Sequence, residues 1–181
     1  MSPAHISGHL LPDGTQPTGV RDTDLVATEQ HRLPRTLEDF ASLPEVAPSA
    51  SGEVVELLAL FGHVVDNGAW DWLDRVFASD ATYVVAGVEV LGLEAIAAYL
   101  QKRVMPPSHH TVNSAFRQAP DGSVVAWSRL VTIAGDGTVA SADVVDRVAS
   151  GADGPRIGHR IVQPRHGGQA TSDAEAAAWV R

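Results

Sequence analysis

The alternation of hydrophobic and polar positions divides the chain into three stretches. Residues 1–52 hold no sustained apolar period and carry Pro3, Pro12, Pro17, Pro34, Pro44 and Pro48, which predicts an extended arm. One short helix is expected inside it, capped by Thr36, with Leu37, Phe40 and Leu43 docking on the body. Two roles for the arm stay open: a solvated linker, or a cover for a pocket or a partner subunit. Residues 53–165 form the predicted domain. Residues 166–181 are a polar tail in which Asp173–Trp179 is expected to form a helical turn.

Inside the domain, Glu53 to Asp66 is apolar almost all round, so a helix buried on more than one side is expected. An acidic first turn suits its dipole, and Asn67-Gly68 suits a left-handed stop. Trp70, Leu73, Val76 and Phe77 predict a second short helix, punctuated by Ser79-Asp80. Thr82–Val85 and Gly87–Leu91 read as a strand hairpin. Gly92 to Leu100 is a third helix, which Pro106-Pro107 ends. After that the chain is all strand and turn. Strands are expected over 109–118, 123–133, 138–149 and 156–163, separated by Asp121-Gly122, Gly135-Asp136-Gly137 and the Gly151–Pro155 loop. Helices followed by strands indicate an α+β domain with a mostly antiparallel sheet covered by helices on one side.

Composition narrows what such a domain does. The 181 residues suit one domain with a tail, and 44% hydrophobic residues supply a core. A net charge of −9 argues against nucleic-acid binding, because phosphate contacts need a basic face. No apolar run approaches the ~20 residues of a membrane span, and the N-terminus lacks the pattern of a secretory signal. A cytoplasmic location is therefore expected. Without cysteine there is no thiolate nucleophile and no Cys-type zinc site. The eight histidines show no helical H-x-x-x-H, so no metal and no cofactor are expected.

Several short motifs resemble one family when taken together and in order. Asp66-Asn67-Gly68-Ala69-Trp70-Asp71-Trp72-Leu73 and Phe77-Ala78-Ser79-Asp80-Ala81 resemble its D-x-G-x-W-x-x-L…F-x-x-D-A connection. Gly92-Leu93-Glu94-Ala95-Ile96 resembles the start of its third helix, and His109-His110-Thr111-Val112-Asn113 its H-x-x-x-N strand. Val144-Val145-Asp146-Arg147 and Arg156-Ile157-Gly158-His159-Arg160 resemble its closing pair of strands. The family is the SnoaL-like branch of the nuclear transport factor 2-like superfamily. The resemblance implies a cone-shaped barrel, with three N-terminal helices packed on a strongly curved, mixed sheet. It implies an internal pocket and, by analogy, a homodimer. It does not choose among polyketide cyclases, dehydratases, isomerases, epoxide hydrolases, pericyclases and binding proteins.

Candidate chemistry starts at His109 and His110, of which alternation lets only one face the pocket. The family pattern points to His109, on one face with Thr111 and Asn113. An imidazole suits proton transfer near neutrality. Asp66 ends an apolar helix, where a negative charge opposes the dipole. In dehydratases of the superfamily, such an Asp positions a Tyr and the catalytic His. Phe61 stands at the Tyr position here, so that hydroxyl is missing. A turn-capping role for Asp66 is the alternative. His63 is either a pocket group or exposed.

Asp143 and Asp146 have odd spacing and so lie on opposite faces. Asp146 matches the family's structural Asp, which leaves Asp143 as the acid–base candidate. Arg129 has two open roles, holding an enolate or carboxylate, or pairing with a neighbouring strand. Its strand holds no carboxylate partner for the histidine. His159 shares an apolar face with Ile157 and Ile161. Trp70, Tyr83 and Trp127 supply aromatic walls.

The expected function is a cofactor-independent cyclase, dehydratase or isomerase. It would act on a polyketide-like or polycyclic small molecule by His/Asp acid–base chemistry in an apolar pocket. Two alternatives stand beside it: a shape-driven pericyclase, and a non-catalytic binding or dimerisation module.

Overall fold

A computed structural model of the chain describes residues 33–34, 36–102 and 108–165. Pro106-Pro107 and the Asp173–Trp179 turn fall outside them, as do residues 1–32 of the arm. Helix α1 (Leu37–Ser42) starts at the expected cap. The Asp39 N–H donates to the Thr36 hydroxyl at 3.0 Å, and the Thr36 N–H donates to the Asp39 carboxylate at 3.2 Å. This reciprocal pair satisfies donors that a helix start leaves open. Phe40 is buried and Leu43 packs beside it, but Leu37 is 69% exposed and does not dock.

Helix α2 (Pro48–Asp66) begins at Pro48 rather than Glu53. Proline fits a first turn, where its missing N–H would have had no partner. Glu53 and Glu56 consequently lie past the first turn and do not serve the dipole. Val54, Leu57, Leu58, Phe61, Val64 and Val65 are buried, while Val55, Ala59 and His63 leave an exposed stripe at helical spacing. Asn67 closes the helix, and Gly68 takes the left-handed conformation (φ 63°).

The segment Trp70–Arg75 is a 3-10 helix, and Phe77 already belongs to strand β1 (Phe77–Val85). Ser79-Asp80 does not interrupt the element, because the register irregularity between Phe77 and Thr82 absorbs it within the strand. Ala86 and Gly87, both at positive φ, turn β1 into β2 (Val88–Leu91). Helix α3 (Leu93–Gln101) buries Ile96 and Leu100. Strands β3 (Ser108–Gln118), β4 (Val124–Ile133), β5 (Val139–Gly151) and β6 (Gly154–Arg165) follow as a meander.

The six strands form one sheet in the order β2-β1-β6-β5-β4-β3. β1 and β6 are parallel and every other pairing is antiparallel. The α+β class and the mixed, mostly antiparallel sheet are as expected; the sheet ends in two edges, β2 and β3, and so does not close into a barrel. Its inner face packs Ala126, Val144, Val148 and Val162 against α2 and α3. Its outer face packs Val125, Val145, Ile161 and Val84 against Leu33 and Phe40. The described part of the arm therefore covers the back of the sheet. Glu45 bridges to Arg117, and the Gln118 N–H donates to the Pro44 carbonyl at 2.9 Å.

Candidate functional site

Helix α2 crosses edge strand β3 at His109. The Asp66 carboxylate, at the last position of α2, accepts the main-chain N–H of His109 at 2.9 Å with one oxygen. Its other oxygen lies 2.5 Å from Nδ1 of the same residue. A carboxylate at Nδ1 selects the tautomer with the proton there and leaves Nε2 as the basic nitrogen. Among the described residues no other polar group bonds to the His109 ring. The His109 side chain is 4% exposed and that of Asp66 19%. The ring meets Phe61 edge-on at 6.3 Å.

This pair lines a cleft of about 340 Å³ between α2 and β3. The helix contributes Val55, Ala59, Gly62 and His63, and the strand contributes His110, Thr111, Val112 and Ser114. Three histidines, His63, His109 and His110, thus line the cleft beside apolar side chains, so both members of the 109–110 pair reach it and not the single one expected from alternation. Among the described residues no group of three or more His, Asp or Glu is placed to hold a metal ion.

The other expected site residues lie elsewhere. Phe61 and Tyr83 are core side chains, each edge-on to Phe77 at 5.9 Å. Phe61 also carries the Arg160 guanidinium 4.1 Å above its ring. Trp70 packs half-buried against the same core. Asn113 is exposed, at a strand irregularity where its φ is +53°. It does not share the face of His109 and Thr111, because the register shift between Val112 and Ala115 breaks the alternation.

Trp127 lies on the outer face, 5.8 Å from Phe40. Arg129 and Asp143 are on that face too. Asp143 accepts from Arg129 Nε at 3.0 Å and from Arg165 Nη1 at 3.0 Å. Asp143 is therefore an outward ion-pair residue. It is Asp146 that points inward, where Arg160 Nε and Nη2 donate to it at 2.6 and 3.0 Å. The strand register decides this, since Asp146 lies opposite Ala126 and alternates with Val144 and Val148. Burial works against the Arg160 charge, yet Asp146 overcomes it and holds the guanidinium pKa above the usual value.

His159 is outward with Ile161, not on one face with Ile157. The irregularity between Arg147 and Val148 turns Ile157 inward while His159 stays opposite Arg147. Burial lowers the His159 pKa below the usual histidine value, and the nearby Arg147 charge adds to this. Sequence reasoning missed Gly62, Val55, Ala59, Val112 and Ser114 as cleft residues, since small and apolar side chains carry no chemical mark. The stripe of Val55, Ala59 and His63 at helical spacing was the available signal.

Comparison with known proteins adds to this picture. A SnoaL-like domain model matches residues 49–161. ActVI-ORFA from Streptomyces coelicolor is 22% identical at a TM-score of 0.56, over 64% of this chain and 97% of that one. An NTF2-like protein with a cystatin-like fold from Novosphingobium aromaticivorans is 22% identical at a TM-score of 0.58, over 87% of this chain and 98% of that one. A Catenulispora acidiphila structure in complex with S-DNPA is 27% identical at a TM-score of 0.56, over 65% of this chain and 95% of that one. No curated protein matches the chain. No helix among the described residues is long and apolar enough to cross a membrane. With the family model spanning α2 through most of β6, more than half of the chain, the chain belongs to the SnoaL-like domain family.

Proposed function

We propose that the chain is a cofactor-independent acid–base enzyme of the cyclase, dehydratase or isomerase type, with His109 as proton carrier and Asp66 as its orienting partner. The observation that carries this reading is the double grip of Asp66 on His109, at the main-chain N–H and at Nδ1, inside a cleft. A fixed tautomer makes Nε2 a general base that loses no time to ring reorientation. In such a step Nε2 takes the proton next to a substrate carbonyl, and the C–H electron pair becomes an enolate. The resulting imidazolium, held by the Asp66 carboxylate, then returns the proton to a departing hydroxyl, to another carbon or to a new alkoxide. Those three fates are dehydration, isomerisation and aldol cyclisation.

Apolar walls from Val55, Ala59 and Val112 suit a polyketide-like or polycyclic substrate, and Thr111, Ser114 and His110 offer polar groups for its oxygens. The relative in complex with S-DNPA supports ligand binding by this fold. A homodimer is part of the same reading, with light scattering as its check. The functional test is a panel of β-polyketones and hydroxylated polycyclic aromatics, followed by product analysis. Wild type is expected to convert at least one of them, and His109→Gln and Asp66→Asn to lose about 10²–10⁴-fold in rate. Full turnover by both variants sinks the acid–base reading and favours catalysis by shape. Binding without any turnover favours a binding module.

A further inference from the structure

We propose that Gly62 is a positioning residue for the Asp66–His109 pair, an inference that rests on the acid–base reading above. Gly62 is buried inside α2, one turn from its end, and within a helix glycine is weaker than any residue except proline. It lies one turn before Asp66, on the side of the helix that meets β3. A Cβ built on it would lie 3.1 Å from the His109 carbonyl oxygen and 3.8 Å from the His109 Cβ. Among the described glycines it is the only one whose Cβ would come closer than 3.4 Å to a neighbour.

The atom it would press on is backbone of the very residue that Asp66 holds. The strand is thus seated on α2 at two points of one residue. The His109 carbonyl rests on the bare Cα of Gly62, and the His109 N–H donates to Asp66. A methyl group at position 62 pushes the strand from the helix by a few tenths of an ångström. Both Asp66 contacts then lengthen, and the tautomer preference of the ring loosens. Gly62 therefore sets the spacing at which one carboxylate reaches both nitrogens.

The test uses side-chain and amide NMR of the full chain at neutral pH. Gly62→Ala is compared with wild type, with Gly52→Ala in the same helix, and with Asp66→Asn. A methyl group at position 52 would meet nothing within 4 Å, so Gly52→Ala reports the helix effect alone. Gly62→Ala is expected to keep the wild-type fold. Its His109 Nδ1 proton should move upfield, the ¹⁵N shifts should show both tautomers, and the His109 amide should exchange about tenfold faster. Asp66→Asn should move the same signals further, and Gly52→Ala should leave them unchanged. Gly62→Ala with Asp66→Glu supplies a longer arm across the wider gap, and should restore the Nδ1 proton signal in part.

Wild-type signals in a folded Gly62→Ala overturn the proposal. So does a Gly62→Ala chain that fails to fold, with or without Asp66→Glu, because the requirement is then for folding alone. None of these signals needs a substrate. They stand or fall separately from the functional reading, which is tested by the turnover of wild type, His109→Gln and Asp66→Asn.

Discussion

Asp146 with Arg160 and Asp66 with His109 are both carboxylate-centred pairs, and they differ in what they leave unused. The Asp146 pair is sealed: the side chains are 0% and 3% exposed, and both carboxylate oxygens meet a two-pronged guanidinium. Phe61 closes it from above. The Asp66 pair sits at the seam between a helix and an edge strand, in a cleft. It occupies one ring nitrogen and the main chain of His109, and among the described residues nothing bonds to the second nitrogen. A carboxylate paired with a permanent cation in the core holds structure together. One that orients an imidazole at a cleft is the arrangement that the proposed proton transfer needs.

That contrast breaks or sharpens under mutation. Asp146→Ala leaves the Arg160 charge buried without a partner, at an expected cost of about 3–5 kcal/mol in urea unfolding. Asp66→Asn should cost about 1–2 kcal/mol, from weakened hydrogen bonds to a charged group, while removing most of the turnover. If Asp66→Asn unfolds the chain as readily as Asp146→Ala, the two pairs are alike and the distinction fails. Asp143→Asn, on the outer face, should leave turnover unchanged.

Smaller effects test the back of the sheet. Thr36→Ala removes the cap of α1 and should cost about 1 kcal/mol, read as a lower urea midpoint. The last effect is acid sensitivity through His159, whose folded-state pKa lies below the unfolded value near 6.5. Between those two values the unfolded chain binds the proton and the folded one does not, so stability falls as pH drops below ~6.5 and levels off below the folded pKa. Urea titrations from pH 7.5 to 5 should show this fall, and His159→Gln should flatten it. An unchanged slope in His159→Gln places the acid sensitivity elsewhere.

Much of the fold was legible because the signals were local. Thr36 capped a helix, Asn67-Gly68 ended one, and Asp121-Gly122 turned a hairpin, each through chemistry that acts within a few residues. Asp66 and His109 were legible as well, one from its unfavourable place at a helix end, the other from a strand motif. What misled was parity. Alternation correctly put Asp143 and Asp146 on opposite faces but could not say which was inner. That depends on pairing with Ala126 across the sheet. One extra residue at a strand irregularity then separated His159 from Ile157, and Asn113 from His109. The aromatic walls expected around a pocket were spent on packing, as Phe61 and Tyr83 meet Phe77 and fill the inner core. The space beside the dyad comes instead from Gly62 and Ala59, residues marked only by being small.

The central claim is that the Asp66–His109 pair is where a substrate reacts. The most direct measurement is a crystal structure of the chain with the best-bound compound from the polyketone and polycyclic panel. That compound is expected in the cleft between α2 and β3, with an oxygen or acidic carbon within about 3.2 Å of His109 Nε2. A compound seated on the outer face of the sheet, or in the separate cleft lined by Glu53, Glu56 and Arg156, would contradict it.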